Sequence, residues 1–403
     1  VTLVDLTPAP VDGRPHVVIL GAGFGGLACA QALGGHPLRV TVVDRHNYHL
    51  FVPLLYQVAT AALSPGEIAE PVRKVLRRHA NIDVVMCEVT AIDPGAHRVI
   101  LGANGFIPYD RLVVATGSEY NYFGNEGWKA FAPGLKTVAD ARQIRASVLR
   151  GFELAELSKD PAEQRRRTTS IVVGGGPTGV EMAGAIAELA RWSLRRDFRN
   201  IDPTTATTLL LEAGERILPP FPERLADYAR RRLEKLGVIV RTGSPVEAVG
   251  DGTVTVGGEV LEAQTIVWGA GIRASPAAHW LDVVSDGLGR IPVAADLSVP
   301  DRPGVYAIGD TAASTGGEGR ALPALAQVAK QQGAHLGHAL AAELERGVAV
   351  PPFRFRDRGN AAVIGRSAAI FDFGDRQLKG GWRGCCGPSS TCTCLWASKS
   401  DFS

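Results

Sequence analysis

Short, almost wholly apolar runs alternate with glycine-rich turns along this chain, and they do so twice in the same order. HVVIL (His16 to Leu20) leads into GAGFGG and then LACAQAL, while SIVV (Ser170 to Val173) leads into GGGPTG and then VEMAGAI. A β-branched and aliphatic run without polar alternation predicts a strand buried on both faces, as in a parallel sheet. The apolar stretch behind each glycine turn predicts a helix. A second strand then closes each unit on an acid, RVTVVD on Asp44 and TLLLE on Glu212. Later strands repeat as well: LVVATG (Leu112 to Gly117) parallels IVWGAG (Ile266 to Gly271), and PGVYAIGD closes on Asp310. The simplest reading is α/β, with two Rossmann-like dinucleotide-binding domains in one chain.

Other stretches fill in the organisation. Glu156 to Thr169 (ELSKDPAEQRRRTT) is polar and reads as a helix end plus linker. Glu212 follows Gly174 at well beyond the usual spacing of about 20 residues, so the second fingerprint helix needs an extension, placed at Arg191 to Thr205. Pro323 to Leu344 reads as a helix with its proline near the first turn. Pro351 to Lys379 reads as short strands, a C-terminal β-containing segment.

Composition narrows the function classes. With 403 residues, 45% apolar and 21% charged, the chain is globular and long enough for about two to three domains. A net charge of +2 gives no field to hold nucleic acid. No stretch reaches the ~18 apolar residues of a membrane span, and Leu50 to Leu63 is interrupted by Pro53, Tyr56 and Gln57. The first residues lack a signal peptide's basic start and apolar core, so a cytoplasmic chain is expected. No metal site is expected: His46 and His49 have no ligand-spaced partners, and Cys385, Cys386, Cys392 and Cys394 lack paired C-x2-C spacing. Cys29 reads as a small packing residue.

The chemistry lies in the glycine turns. Gly21 permits a tight turn, Gly23 lets backbone approach a pyrophosphate, and Gly26 lets helix and strand pack closely, with Phe24 and Gly25 in the same turn. Asp44 stands where an acid binds a ribose hydroxyl pair. Gly174, Gly176 and Gly179, with Pro177 and Thr178, repeat the device, and Glu212 favours NAD over NADP, with Arg216 nearby arguing the other way.

Two fingerprints, two ATG-like strands and a Gly-Asp strand in this order resemble the two-dinucleotide-binding (pyridine nucleotide-disulfide reductase-like) flavoproteins, over about residues 15 to 380. The resemblance implies FAD at Gly21, Gly23, Phe24, Gly25, Gly26, Asp44, Ala115, Thr116, Gly117, Gly309 and Asp310. It implies NAD(H) at Gly174, Gly176, Pro177, Thr178, Gly179, Glu212 and Gly271. Arg45 to Pro65, where disulfide reductases carry a redox cysteine pair, holds no cysteine. HLFVPLLYQVAT (His49 to Thr60), VVGGGPTGVEMAGAI (Val172 to Ile186) and AQVAKQQG (Ala326 to Gly333) look more narrowly like type II NADH:quinone oxidoreductases. That likeness implies hydride transfer from NADH to flavin, then two electrons to a quinone, without proton pumping. Ala326, Gln327, Ala329 and Gln331 match a family signature by the flavin and quinone; Glu181 matches a glutamate that approaches the nicotinamide. Gln327, Gln331 and Glu181 are the expected catalytic residues. A soluble ferredoxin- or rubredoxin-type reductase and a slow FAD/NAD-binding redox sensor remain alternatives.

The implied organisation is an FAD domain over 1–120 and 273–345, an NAD domain over 121–272 with its linker near 156–169, and a C-terminal region over 346–403. The implied partners are a quinone and the cytoplasmic surface of the cell membrane, with a homodimer left open. The tail departs from the family. Gly381 to Ser403 has no apolar helical stripe, whereas shifting the reading frame by one turns Cys385–Cys386 into Leu and Trp396–Ala397 into Gly. With permitted codon choices the shifted text gains the Leu and aromatic character of an interfacial helix, so the tail reads as frameshifted and its membrane hold as weakened or lost.

Overall fold

The structure is a computed structural model that describes residues 13–316, 319–366, 368–374 and 376–380; the atypical tail lies outside them. In chain order the first elements are β1 (His16–Leu20), α1 (Phe24–Ala32), β2 (Arg39–Asp44), β3 (Ile82–Met86) and β4 (Arg111–Val114). There follow α2 (Val138–Leu157), α3 (Pro161–Thr168), β5 (Ser170–Val173), α4 (Pro177–Glu188) and β6 (Thr208–Leu211). Next come α5 (Glu223–Lys235), β7 (Val238–Arg241), β8 (Thr265–Trp268), β9 (Val305–Ala307) and α6 (Ala326–Arg346). The last three strands are β10 (Asn360–Val363), β11 (Ala369–Asp372) and β12 (Gln377–Gly380).

Two compact units result. One takes the described residues of Val1–Leu50 with Ala69–Glu119 and Ile272–Arg356; the other takes Phe51–Ile68, Tyr120–Gly271 and the described residues of Asp357–Ser403. The first is built on a parallel sheet of order β9-β4-β1-β2-β3. The second has a parallel sheet of order β7-β6-β5-β8. β1, β5, β6 and β8 are buried at every position, which is why their sequences show no polar alternation. β10, β11 and β12 form an antiparallel sheet within the second unit.

Two expectations are corrected. The polar stretch read as a linker contains a helix, α3: Asp160 caps it by accepting the Ala162 amide at 2.9 Å, Pro161 opens it, and Glu163 pairs with Arg166 and Arg167 along its surface. Capping and ion pairs stabilise a short helix with no buried residue, so apolar periodicity could not reveal it. The helix placed from Pro323 begins at Ala326 with Leu325 as its N-cap, and ends at Gly347 in the left-handed conformation favoured by glycine. The extension after α4 is present as a π-helical turn (Leu189–Ser193) and a 3-10 turn (Pro203–Thr205).

In the first unit α1 and α6 pack backbone to backbone. A Cβ on Gly333 would strike the Gly25 carbonyl, and one on Gly337 would meet the Cys29 carbonyl and the Ala32 methyl. Cys29 is fully buried at this crossing, and burial pushes its thiol up to about 12. Arg111 of β4 binds Glu343 of α6 through two bonds of 2.8 and 3.1 Å. Gly333→Ala is therefore expected to destabilise the protein by about 1–3 kcal/mol and to lower its flavin content. Gly127→Ala, which points into open space, should leave the melting temperature unmoved. Thermal unfolding and the flavin-to-protein absorbance ratio check this.

Candidate functional site

Each sheet ends in a cradle shaped by glycine. In the first unit Gly21 turns with φ +98°, and a Cβ there would strike the Ala115 carbonyl. A Cβ on Gly26 would fall on the Gly21 carbonyl, while one on Gly23 would point into open space. Gly23 is the N-cap of α1, no side chain caps it, and no acid occupies the first turn, so the first amides of the helix face outward. Asp44 holds this turn: one carboxylate oxygen accepts the Ala22 amide and the other the His46 amide, each at 2.7 Å.

The second unit repeats the design. Gly174 turns with φ +105° against the backbone of Gly269 and Ala270. Gly179 packs on the Gly174 carbonyl, and Gly176 is the open, uncapped start of α4, again with no acid in the first turn. Glu212 accepts the Gly175 amide at 2.5 Å and the Gly214 amide at 2.7 Å. Arg216 donates to the Phe221 and Pro219 carbonyls at 2.8 Å, so its guanidinium is bound to its own loop. Two uncapped helix starts with space where a Cβ would sit fit two nucleotide pyrophosphates, and the acid beside each fits an adenosine ribose.

The remaining expected flavin residues gather in the first unit. The Gly117 amide donates to Thr311 Oγ1 at 2.8 Å, Ser118 Oγ donates to Asp310 at 2.6 Å, and Thr116 Oγ1 lies 2.5 Å from Ser275 Oγ. Two further residues join them that sequence reasoning did not select. Gln332, fully buried, accepts the Gly309 amide at 2.7 Å and donates to Ser314 at 2.8 Å. His49 sets Nδ1 2.9 Å from the Ala22 carbonyl and its ring edge-on to Phe24. Burial lowers its pKa.

The chain is similar in sequence and fold to known proteins. The family model "Pyridine nucleotide-disulphide oxidoreductase" matches residues 15–333. Type II NADH:quinone oxidoreductase NdhA of Mycobacterium tuberculosis is 41% identical over 396 residues, 94% of this chain and 83% of that protein. Type II NADH:quinone oxidoreductase Ndh of the same organism is 41% identical over 381 residues, 91% of this chain and 81% of that one. The chain belongs to the type II NADH:quinone oxidoreductases. A solved structure of NDH2 from Plasmodium falciparum in complex with NADH shares the fold, with a TM-score of 0.85 at 20% identity over 96% of this chain and 94% of that one.

Within this type II NADH:quinone oxidoreductase chain, the signature glutamines Gln327 and Gln331 both lie half-buried on α6. Gln327 is half-buried near the start of the helix, one turn before Gln331. Gln331 forms a closed pair with the Arg356 peptide, donating to its carbonyl at 2.9 Å and accepting its amide at 3.0 Å. The Gln331 amide is thus committed to fixing the chain after α6, which argues against the expectation that it reaches a quinone. Among the described residues no group of three or more His, Cys, Asp or Glu could hold a metal, and no helix is long and apolar enough to cross a membrane.

Glu181 lies in the first turns of α4 and accepts the Val363 amide of β10 at 3.2 Å. The residue is half-buried, and burial of its carboxyl pushes the pKa from 4.5 up to about 8, against the opposing effect of that hydrogen bond. A pKa raised by folding favours the protonated folded state, so this site's contribution is fully present below about pH 4.5 and is lost as pH rises through about 8. The expected slope is at most about 1.4 kcal/mol per pH unit. Chemical denaturation of parent and Glu181→Gln across pH 5 to 9 should show the slope flattened in the variant; parallel curves would exclude the shift.

Proposed function

We infer that this chain is an FAD-dependent NADH:quinone oxidoreductase that transfers electrons without pumping protons. The observation that carries the reading is the pair of uncapped, glycine-lined cradles, each closed by a carboxylate, in a chain matched along nearly its whole length by enzymes of that name. FAD, when bound, accepts a hydride from NADH and delivers two electrons to a quinone.

The chain's own residues supply binding and orientation. The first-turn amides of α1 from Gly23 onward bind the FAD pyrophosphate, and Asp44 takes the adenosine ribose. Ala115, Thr116 and Gly117, with Gly309 and Asp310, hold the ribityl-pyrophosphate region; Gln332 fixes the Gly309 turn. The amides of α4 from Gly176 onward, with Thr178, bind the NADH pyrophosphate, and the backbone at Gly271, whose missing Cβ admits the Phe123 ring, borders the nicotinamide half. Glu181 stands by the nicotinamide and keeps its proton at neutral pH. Gln327 donates its amide to a quinone carbonyl, while Gln331 holds α6 to Arg356. The working place is the cytoplasmic side of the membrane whose lipid phase holds the quinone, with the hold on it weakened or lost where the tail departs from the family.

Stopped-flow mixing tests the whole reading. NADH should bleach the flavin, and a short-chain quinone should restore it; exclusive turnover with a ferredoxin would end the quinone assignment. Because Glu212 confronts a 2′-phosphate with like charge, NADH should be preferred over NADPH by roughly 100-fold. Glu212→Gln should narrow that gap, and equal use of NADPH by the parent would remove Glu212 from the ribose site. Gln327→Leu should slow quinone reduction roughly ten-fold, the order expected for one lost hydrogen bond, and spare flavin reduction. Equal slowing of both half-reactions would mark Gln327 as structural.

A further inference from the structure

Phe123 combines two costs that proteins normally avoid. Its backbone is left-handed, φ +53°, and its side chain is 61% exposed. A positive φ is a steric outlier for a bulky L residue. Leu218 and Leu297 adopt the same region, but they are 0% and 1% exposed, so core packing opposes their strain. Phe123 has little such compensation, and strain of this kind persists only where the surroundings impose it.

The surroundings do impose it. The Phe123 amide donates to Asn121 Oδ1 at 2.8 Å, and Asn125 Nδ2 bonds the Tyr122 and Phe123 carbonyls at 3.3 Å each. The Asn121 carbonyl accepts the Trp268 indole N–H at 3.0 Å, and Tyr122 stacks on the Trp268 ring at 5.2 Å. Trp268 ends β8, so the loop is anchored to the end of a central strand. The Phe123 ring leans edge-on toward Trp268, 6.5 Å between centroids. Its tip occupies the space that a Cβ on Gly271 would need. Gly269 and Ala270, just before Gly271, are the backbone against which the Gly174 turn packs. An exposed aromatic ring is therefore held at the rim of the second cradle.

Strand order says which part of the nucleotide meets it. β6 and β8 flank β5 on opposite sides. Glu212, closing β6, takes the adenosine ribose, so the nicotinamide half extends over β8. We propose that Phe123 covers the nicotinamide ring of NADH, backed by Trp268, and that its strained backbone is retained to hold the ring there. Dihydronicotinamide is planar and uncharged, and an aromatic face with low conformational freedom both contacts it and keeps water from it. The proposal rests on assigning NADH to the Gly174–Gly271 half.

The test separates the two halves of the nucleotide in the FAD-loaded full chain. Phe123→Gly removes the ring and relieves the left-handed strain, and Phe123→Tyr keeps the ring. The glycine variant should bind NADH about five- to ten-fold more weakly, the order of one aromatic stack. Its inhibition by ADP-ribose, which lacks nicotinamide, should be unchanged, and its melting temperature should hold or rise. The tyrosine variant should match the parent. Equal weakening of NADH and ADP-ribose would show that the ring only shapes the loop, and unchanged NADH binding would show no contact; either overturns the proposal. A parent that binds neither NADH nor ADP-ribose would refute the NADH assignment itself.

Discussion

The first unit depends on a contact that involves almost no side chain. α1 and α6 approach until the Gly25 carbonyl lies where a Cβ on Gly333 would be, and the Cys29 carbonyl lies against Gly337. α1 opens on the uncapped cradle at Gly23, so its position sets where the negative charge of a bound anion could sit. α6 carries that position to the rest of the unit. It reaches β4 through Arg111–Glu343, the Gly309 turn through Gln332, and the segment at Arg356 through Gln331. A wider helix pair would shift the cradle, the Gly-Asp turn and the signature glutamines together.

The same economy appears in the acids. Asp44 and Glu212 stand where an acid could meet a ribose, but each already accepts one amide of its glycine turn, Ala22 or Gly175, and one from two residues further along its own loop, His46 or Gly214. A carboxylate has about four lone-pair sites, so accepting two amides leaves capacity for two ribose hydroxyls. In the proposed function the acid therefore has two tasks: it fixes the glycine turn before a nucleotide arrives and is left free to read the sugar. Pre-formed geometry of this kind lowers the ordering cost of binding. It also explains why the acid must end the second strand, because only there is it beside the turn that follows the first.

Much of this was legible in the sequence, and the limits have physical causes. Glycine turns, apolar strands and terminal acids are local signals, so both cradles and the α/β architecture could be read directly. Helix α3 escaped because capping and surface ion pairs replace the apolar stripe that signals a helix. Pro323 misled because a proline three residues before the first helical residue looks the same in text as one inside the first turn. Gln331 and Gln332 are adjacent, and nothing local tells which is buried; the answer lies in Gly309 and Ser314, elsewhere in the chain. The left-handed Phe123 was invisible for the same reason, since its conformation is imposed by Asn121, Asn125 and Trp268.

The cysteines show how packing narrows the chemistry that a shared fold can perform. The family model that matches this chain is named for disulphide chemistry, and two cysteines lie among the described residues. Cys29 is buried at the α1–α6 crossing, where its own peptide groups lie in the space that a Cβ on Gly333 or Gly337 would need. Burial holds its thiol near 12, so almost no thiolate exists at neutral pH, and only the thiolate attacks a disulfide. Cys87 lies at the edge of the first unit, 3.8 Å from the Leu101 carbonyl and 3.3 Å from the Asn104 amide nitrogen. The stretch after Asp44, where a relay pair would stand in a disulfide reductase, carries Tyr48, His49 and Phe51 instead. There His49 braces the first glycine turn through the Ala22 carbonyl. The position that a thiol relay would use is thus given over to holding the cradle. That arrangement suits an acceptor, such as a quinone, that takes two electrons from the cofactor directly.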